Sequence, residues 1–182
     1  MKFKDLVLLV EDNEDIEVKR EYLDKAKKRL KSEWWYKDNK YHRLDGPAVQ
    51  YWRPNGQKER EAWYKDSNLH RLDGPALQDW YPNGQKQRER WYKDDKLHRL
   101  NGPADQYWYP NGQKESEAWY KDGMPHRLDG PSYQQWHYGN GKKTDEQYFI
   151  NGKEASKEFI DIYKKLDKED IQTVEDIDIP DF

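Results

Sequence analysis

The chain has 182 residues, a formal net charge of -3 and no cysteine. Val, Ile, Leu and Phe supply only 29 residues and 38% of the chain is charged, a balance that alone suggests disorder, yet 9 Trp and 14 Tyr argue for a folded, ring-rich chain. The composition excludes a membrane-spanning helix, disulfides, thiolate nucleophiles, Cys-ligated metals and bulk attraction to DNA or anionic lipid. The lack of cysteine fits a reducing compartment and no secretory leader is legible, so the expected location is cytoplasmic.

Residues 1–32 carry 9 basic and 8 acidic residues. Ile16, Leu23, Ala26 and Leu30 fall at helical spacing, with Val18 and Tyr22 adjacent, and Asp12 or Asn13 could cap the start. The expectation is an amphipathic helix over about 14–31, an N-terminal helical cap on the first repeat. Leu8 to Asn13 looks like the first strand and acidic pair of a phosphorelay receiver. The repeats begin at residue 33, which leaves no room for such a domain.

His42, His70, His98 and His126 lie 28 residues apart, as do Trp35, Trp63, Trp91 and Trp119, and Trp52, Trp80, Trp108 and Trp136. Residues 33–152 therefore hold four and a half hairpin repeats of 28 residues, the fourth being the least regular. Each unit contains a short strand (48–52, 76–80, 104–108, 132–136) and a longer one (58–65, 86–93, 114–121). Asn-Gly at 55–56, 83–84 and 111–112 predicts type I′ turns between them. His-Arg-Leu-Asp-Gly-Pro makes the return connection. The fold class is mainly β, an elongated antiparallel meander of about nine strands.

Period two separates two faces. Ala48, Gln50 and Trp52 share a face that recurs in every unit, with Ser132 replacing alanine in the last. Across the pleat stand Val49, Tyr51 and Arg53, then Leu77, Asp79 and Tyr81, then Asp105, Tyr107 and Tyr109, then Tyr133, Gln135 and His137. The recurring face is what repeat stacking requires. The core is expected to be rows of Trp and Tyr, with Leu44, Leu72, Leu100 and Leu128 as aliphatic support. The varying face is free to read a partner, and its candidate partner-binding residues are Tyr51, Arg53, Tyr81, Tyr107, Tyr109 and Tyr133.

No catalytic or metal site is expected. Like positions of successive two-stranded units stand roughly 9–10 Å apart, too far for the four His to share one ion. Each imidazole should instead cap its own turn through a backbone carbonyl or the Asp of His-Arg-x-Asp. Glu33, Glu61, Glu89 and Glu117 should pair with Lys58, Arg43 or their equivalents, or accept from indole N–H groups. No nucleophile elbow, phosphate loop or metal-binding helix motif is present, and no cofactor is expected.

Ala155 to Leu166 reads as a second helical cap (153–166), with Phe159, Ile160, Tyr163 and Leu166 on one side. Residues 167–182 form an acidic tail of 7 acidic residues and one Lys, interleaved with Ile171, Val174, Ile177, Ile179 and Phe182. Such alternation suits either a solvated tail or a linear segment that folds on a basic surface.

These repeats resemble MORN-type repeats, in the bacterial YwqK-like variant with aromatic-x-Asn-Gly turns, over residues 33–152. The longer signature His-Arg-x-Asp-Gly-Pro-Ala is similar to repeat proteins encoded by phages and large viruses. The resemblance implies an elongated, curved meander used for protein contact. Some relatives are described as antitoxins and others are linked to lipid headgroups. The expected function is a non-enzymatic protein-interaction module acting as inhibitor, antitoxin or scaffold, in concrete form a phage-encoded anti-defence inhibitor of a host nuclease. Nucleic-acid or anionic-ligand binding through the aromatic and basic face is the alternative, and an enzyme ranks last. A protein partner is expected first and nucleic acid second, and the open sheet edges leave a homodimer available.

Overall fold

The computed structural model describes residues 3–11 and 14–165, with side chains from residue 16 onward. The expected tail at 167–182 lies outside the described residues. Eleven strands pair in chain order into one antiparallel meander: β1 (Phe3–Glu11), β2 (Glu14–Tyr22), β3 (Leu30–Lys37), β4 (Val49–Trp52), β5 (Lys58–Ala62), β6 (Leu77–Trp80), β7 (Lys86–Arg90), β8 (Asp105–Trp108), β9 (Lys114–Ala118), β10 (Tyr133–Trp136) and β11 (Lys143–Gln147). One helix follows, α1 (Lys157–Tyr163), whose N-cap Ser156 accepts the Phe159 N–H at 3.1 Å. The mainly β meander with a C-terminal helix stands as the sequence predicts.

The N-terminal helix does not form. Residues 14–22 make β2, paired with β1 along its whole length and with β3 on the other side. The reason is legible in hindsight. Ile16, Val18 and Tyr22 also fit a period of two, two of them are β-branched, and β3 would otherwise leave unpaired amides and carbonyls along its edge. Val18 is fully buried there.

The longer predicted strand of each unit is two strands. β5 ends at Ala62, the chain turns at Trp63, and Tyr64–Lys65 pairs with Asn68–Leu69 in a small second hairpin. The same happens at Tyr92–Lys93 with Lys96–Leu97, at Tyr120–Lys121 with Met124–Pro125 and at Phe149–Ile150 with Lys153–Glu154. These small hairpins stack on one another. The Arg43 amide donates to Tyr64 O at 3.1 Å and the Ser67 amide to Tyr41 O at 2.8 Å, and the pattern repeats through the Arg71, Arg99 and Arg127 amides.

The turn at Asn-Gly differs from the expected type I′. In the Pro-Asn-Gly loops only the glycine has positive φ, +84° at Gly56, and the Gly56 amide donates to Arg53 O at 2.9 Å. Pro54 fixes a negative φ at the first central position, which selects a type I turn followed by a left-handed glycine rather than type I′. Paired positive φ values occur instead in the small hairpins, at Asp66 (52°) and Ser67 (67°), Asp94 (48°) and Asp95 (61°), and Asp122 (52°) and Gly123 (87°).

The interior also differs from the expected rows of rings. The fully buried side chains of the repeats are small: Ala48, Ala76 and Ala104 at 0% exposure and Ser132 at 1%. Every Trp is only half-buried. A single sheet with stacked small hairpins is too thin to enclose an indole, and four of the rings are each covered on one side by an arginine. Arg43, Arg71, Arg99 and Arg127 lie 3.8–4.0 Å over the centroids of Trp35, Trp63, Trp91 and Trp119. Leu44, Leu72 and Leu100 are 70–72% exposed, so they support nothing; only Leu128 is packed, under α1.

His-Arg-Leu-Asp-Gly-Pro is thereby explained atom by atom. Arg71 stacks on Trp63, donates from Nε to Asp73 at 2.9 Å and from Nη1 to Pro75 O at 3.4 Å. A Cβ at Gly74 would stand 2.5 Å from Arg71 Cζ, so glycine leaves the guanidinium its seat on the Trp63 ring. His42 caps the turn of the following repeat rather than its own. Its Nδ1 sits 2.8 Å from Asp66 Oδ1 and 3.3 Å from the Asp66 amide, and His70 meets Asp94 in the same way. The imidazole beside it holds the exposed Asp66 carboxyl below the usual carboxylate range. The expected acceptor within His-Arg-x-Asp is taken by the arginine.

Candidate functional site

The register of the sheet resolves its two faces into rows. On the recurring face Glu33, Gln50, Glu61, Gln78, Glu89, Gln106, Glu117, Gln134 and Glu146 stand in one continuous cross-strand line. Glutamates alternate with glutamines, so no two carboxylates face each other directly. Glu61, Glu89 and Glu117 are each 8% exposed. Gln78 Nε2 donates to Glu89 at 2.7 Å, Lys58 Nζ reaches Glu61 at 2.5 Å and Lys86 Nζ reaches Glu89 at 2.6 Å. Trp35 Nε1 donates to Glu33 at 2.8 Å and Arg43 Nη1 lies 3.9 Å from it, the partners that the sequence suggested. The carboxylates of this face are taken up by these bonds.

The other face carries a row that does not repeat: Tyr51, Arg60, Asp79, Arg88 and Tyr107, each opposite the next. Asp79 is 7% exposed and receives two guanidinium groups, Arg60 Nε at 2.5 Å and Arg88 Nη2 at 2.6 Å. One step along the strands Arg90 Nε donates to Asp105 at 3.0 Å, and its Nη2 donates to the Tyr107 hydroxyl. Burial pushes the Asp105 carboxyl above its ordinary value even with Arg90 beside it. Trp34 Nε1 donates to the Tyr51 hydroxyl at 3.3 Å with the rings edge to face. A cleft of about 500 Å³ opens over this row, lined by Tyr51, Arg53, Arg60, Asp79, Arg88 and Tyr107 together with Glu59, Trp80 and Gln87. Three guanidinium groups against two carboxylates leave it one positive charge in excess.

Of the six predicted residues the structure brings Tyr51, Arg53 and Tyr107 together. Tyr81 and Tyr109 occupy the same repeat position as Arg53, just past a strand end. Their hydroxyls donate to Trp108 O and Trp136 O at 2.9 Å, as Arg53 Nη2 donates to Trp80 O at 2.6 Å. They join one repeat to the next. Tyr133 stands on the same face but in the neighbouring row, opposite Ala118 and Gln147, and burial raises its phenol. At the centre of the row, Arg60 and Arg88 escaped the sequence reading, and Asp79 was placed on the varying face but not among the candidate residues. The signal that could have found the two arginines is the second strand, where 60, 88 and 116 hold Arg, Arg and Ser, each just before the constant Glu61, Glu89 or Glu117.

Among the described residues no three His, Asp or Glu converge as a metal site, and no helix is long and apolar enough to cross a membrane. Compared with models of protein families, with curated proteins and with solved structures, the chain matches none of them.

Proposed function

We propose that the chain is a non-enzymatic protein-interaction module that grips a protein partner through the Tyr51–Tyr107 face. One observation carries the reading: of two faces on one sheet, one repeats the same internal bonds from unit to unit, whereas the other carries a row that occurs once. The other gathers aromatic and arginine side chains, the residue types that interfaces enrich, over a cleft. The row is preorganised, since Asp79 holds two guanidinium groups in place before any partner arrives. The resemblance to MORN-type and phage-encoded repeats supports the concrete form, an inhibitor or antitoxin directed at a host defence nuclease, with a scaffold as the more general form.

The surplus positive charge and stacking rings of the same cleft favour one second reading, a nucleic-acid or other anionic ligand. Immobilised full chain and a Tyr51→Ala, Tyr107→Ala chain are compared in host lysate and with purified single-stranded RNA and DNA. A protein retained by the first and lost by the second supports the proposal. Retention of that protein by both chains overturns the face assignment. Tight nucleic-acid binding that falls steeply with added salt, with no protein retained, transfers the function to the second reading.

A further inference from the structure

The row of loop leucines is exposed at Leu44, Leu72 and Leu100 but covered at Leu128. What covers Leu128 is the chain itself. α1 and the residues before it build a cluster of Ile150, Ala155 and Ile160, and Leu128, Tyr148 and Phe159 pack against it. Directly beside this seat, between the third and fourth loops, lies a cleft of about 640 Å³ with Leu100 on one side and Leu128 on the other. Its wall includes Trp119, and its charged residues are Arg99, Lys121 and Arg127 against Asp129 alone, with His126 adjacent.

The charge of this cleft has a local origin. In the first, second and fourth loops the stacked arginine is paired with Asp45, Asp73 or Asp129. The third loop reads His-Arg-Leu-Asn, so Arg99 has Glu89 as the carboxylate acting on it and lacks that loop carboxylate. Burial without it lowers the Arg99 guanidinium from its ordinary value. A carboxylate brought into the cleft would supply what the other three loops already hold.

We propose that the cleft between the third and fourth loops is the docking site of residues 166–182 of this same chain. The segment follows α1, whose Ile160 belongs to the cluster packed on Leu128, a residue of the cleft wall. It offers 7 acidic residues and one Lys, with Ile171, Val174, Ile177, Ile179 and Phe182 between them. Its apolar residues meet Leu100, Leu128 and the Trp119 ring, and its carboxylates meet Arg99, Lys121 and Arg127. Reach is sufficient: seventeen residues span up to roughly 55 Å, whereas like loops stand ~10 Å apart. The second copy of this chain and a separate partner are the competing occupants.

The test uses the full chain with the photo-crosslinker p-benzoyl-phenylalanine at position 177. The expected product is an intramolecular link to the peptides containing Leu100 or Trp119. Leu100→Asp, an exposed position whose circular dichroism should not change, lowers the yield at least tenfold. Asn101→Asp lowers it several-fold by giving Arg99 its carboxylate, and Leu44→Asp leaves it unchanged. A link to the Tyr51–Tyr107 face, a link between two chains, or no link at all overturns the proposal. A yield indifferent to both Leu100→Asp and Asn101→Asp also overturns it.

Discussion

The two faces of this sheet are made from the same strands and do opposite work. On the recurring face Glu61, Glu89 and Glu117 each have a glutamine on either side and a lysine as ion-pair partner, and the alternation of Glu with Gln runs from Glu33 to Glu146. On the other face the row Tyr51–Arg60–Asp79–Arg88–Tyr107 occurs once. Repetition satisfies polar groups cheaply because each unit offers the next the same partners. A binding surface needs the reverse, groups that differ from step to step, so it is found where the repeat is broken.

That contrast can be broken from the recurring side with the largest effect. Glu89→Ala removes the acceptor of both Gln78 and Lys86 in a nearly closed site and should cost about 2 kcal/mol in urea unfolding. Glu146→Ala, at the exposed end of the same row, should cost under about 1 kcal/mol. Equal costs at the two positions would show that the ladder does not act through burial. Gly74→Ala comes next. Its Cβ displaces the Arg71 guanidinium from Trp63, for about 1–2 kcal/mol and a matching fall in melting temperature.

The variable face should behave differently. Tyr51→Ala and Tyr107→Ala each change stability by about 1 kcal/mol or less, yet remove partner binding, read by calorimetric titration once the partner is in hand. The smallest effect is on pH. Asp45, Asp66 and Asp73 have folded carboxyls held below 3.8, so their contribution is present above that pH and is lost as pH falls through the lower folded values. Asp105 opposes them, being raised: what it contributes is present below 3.8 and is lost as pH rises through its folded value. Melting curves across the acid range should show stability falling below about pH 4, and Asp66→Asn should make that fall shallower.

Much of this was legible before any coordinates. Asn-Gly at fixed offsets marked the main hairpin of each unit and alternation the two faces, whereas the small second hairpins, turning at Asp66-Ser67 and Asp94-Asp95, carried no such signal. The recurring Glu and its basic or indole partners were also readable, because they repeat with the structure. The N-terminal hairpin was not. Ile16 and Val18 satisfy both a helical and a two-residue period, and only the unpaired edge of β3 decides between them. Nor was the turn type at Asn-Gly, since Asn-Gly is a type I′ signal until the preceding Pro54 restricts the backbone. The centre of the candidate site was missed for a related reason: Arg60 and Asp79 become neighbours only through register, nineteen positions apart.

The sequence by itself determined the number of units, the hairpin in each, the face that must be constant and the identity of the groups that recur. Those follow from local turn chemistry and from period, which act over a few residues. The tertiary structure decided which varying residues meet, where His42 and its equivalents reach, and which leucine is covered. It also turned an apparent aromatic core into half-buried rings capped by arginine. These are matters of distance between units, set by the spacing of stacked strands and small hairpins, and no periodicity in the chain encodes them.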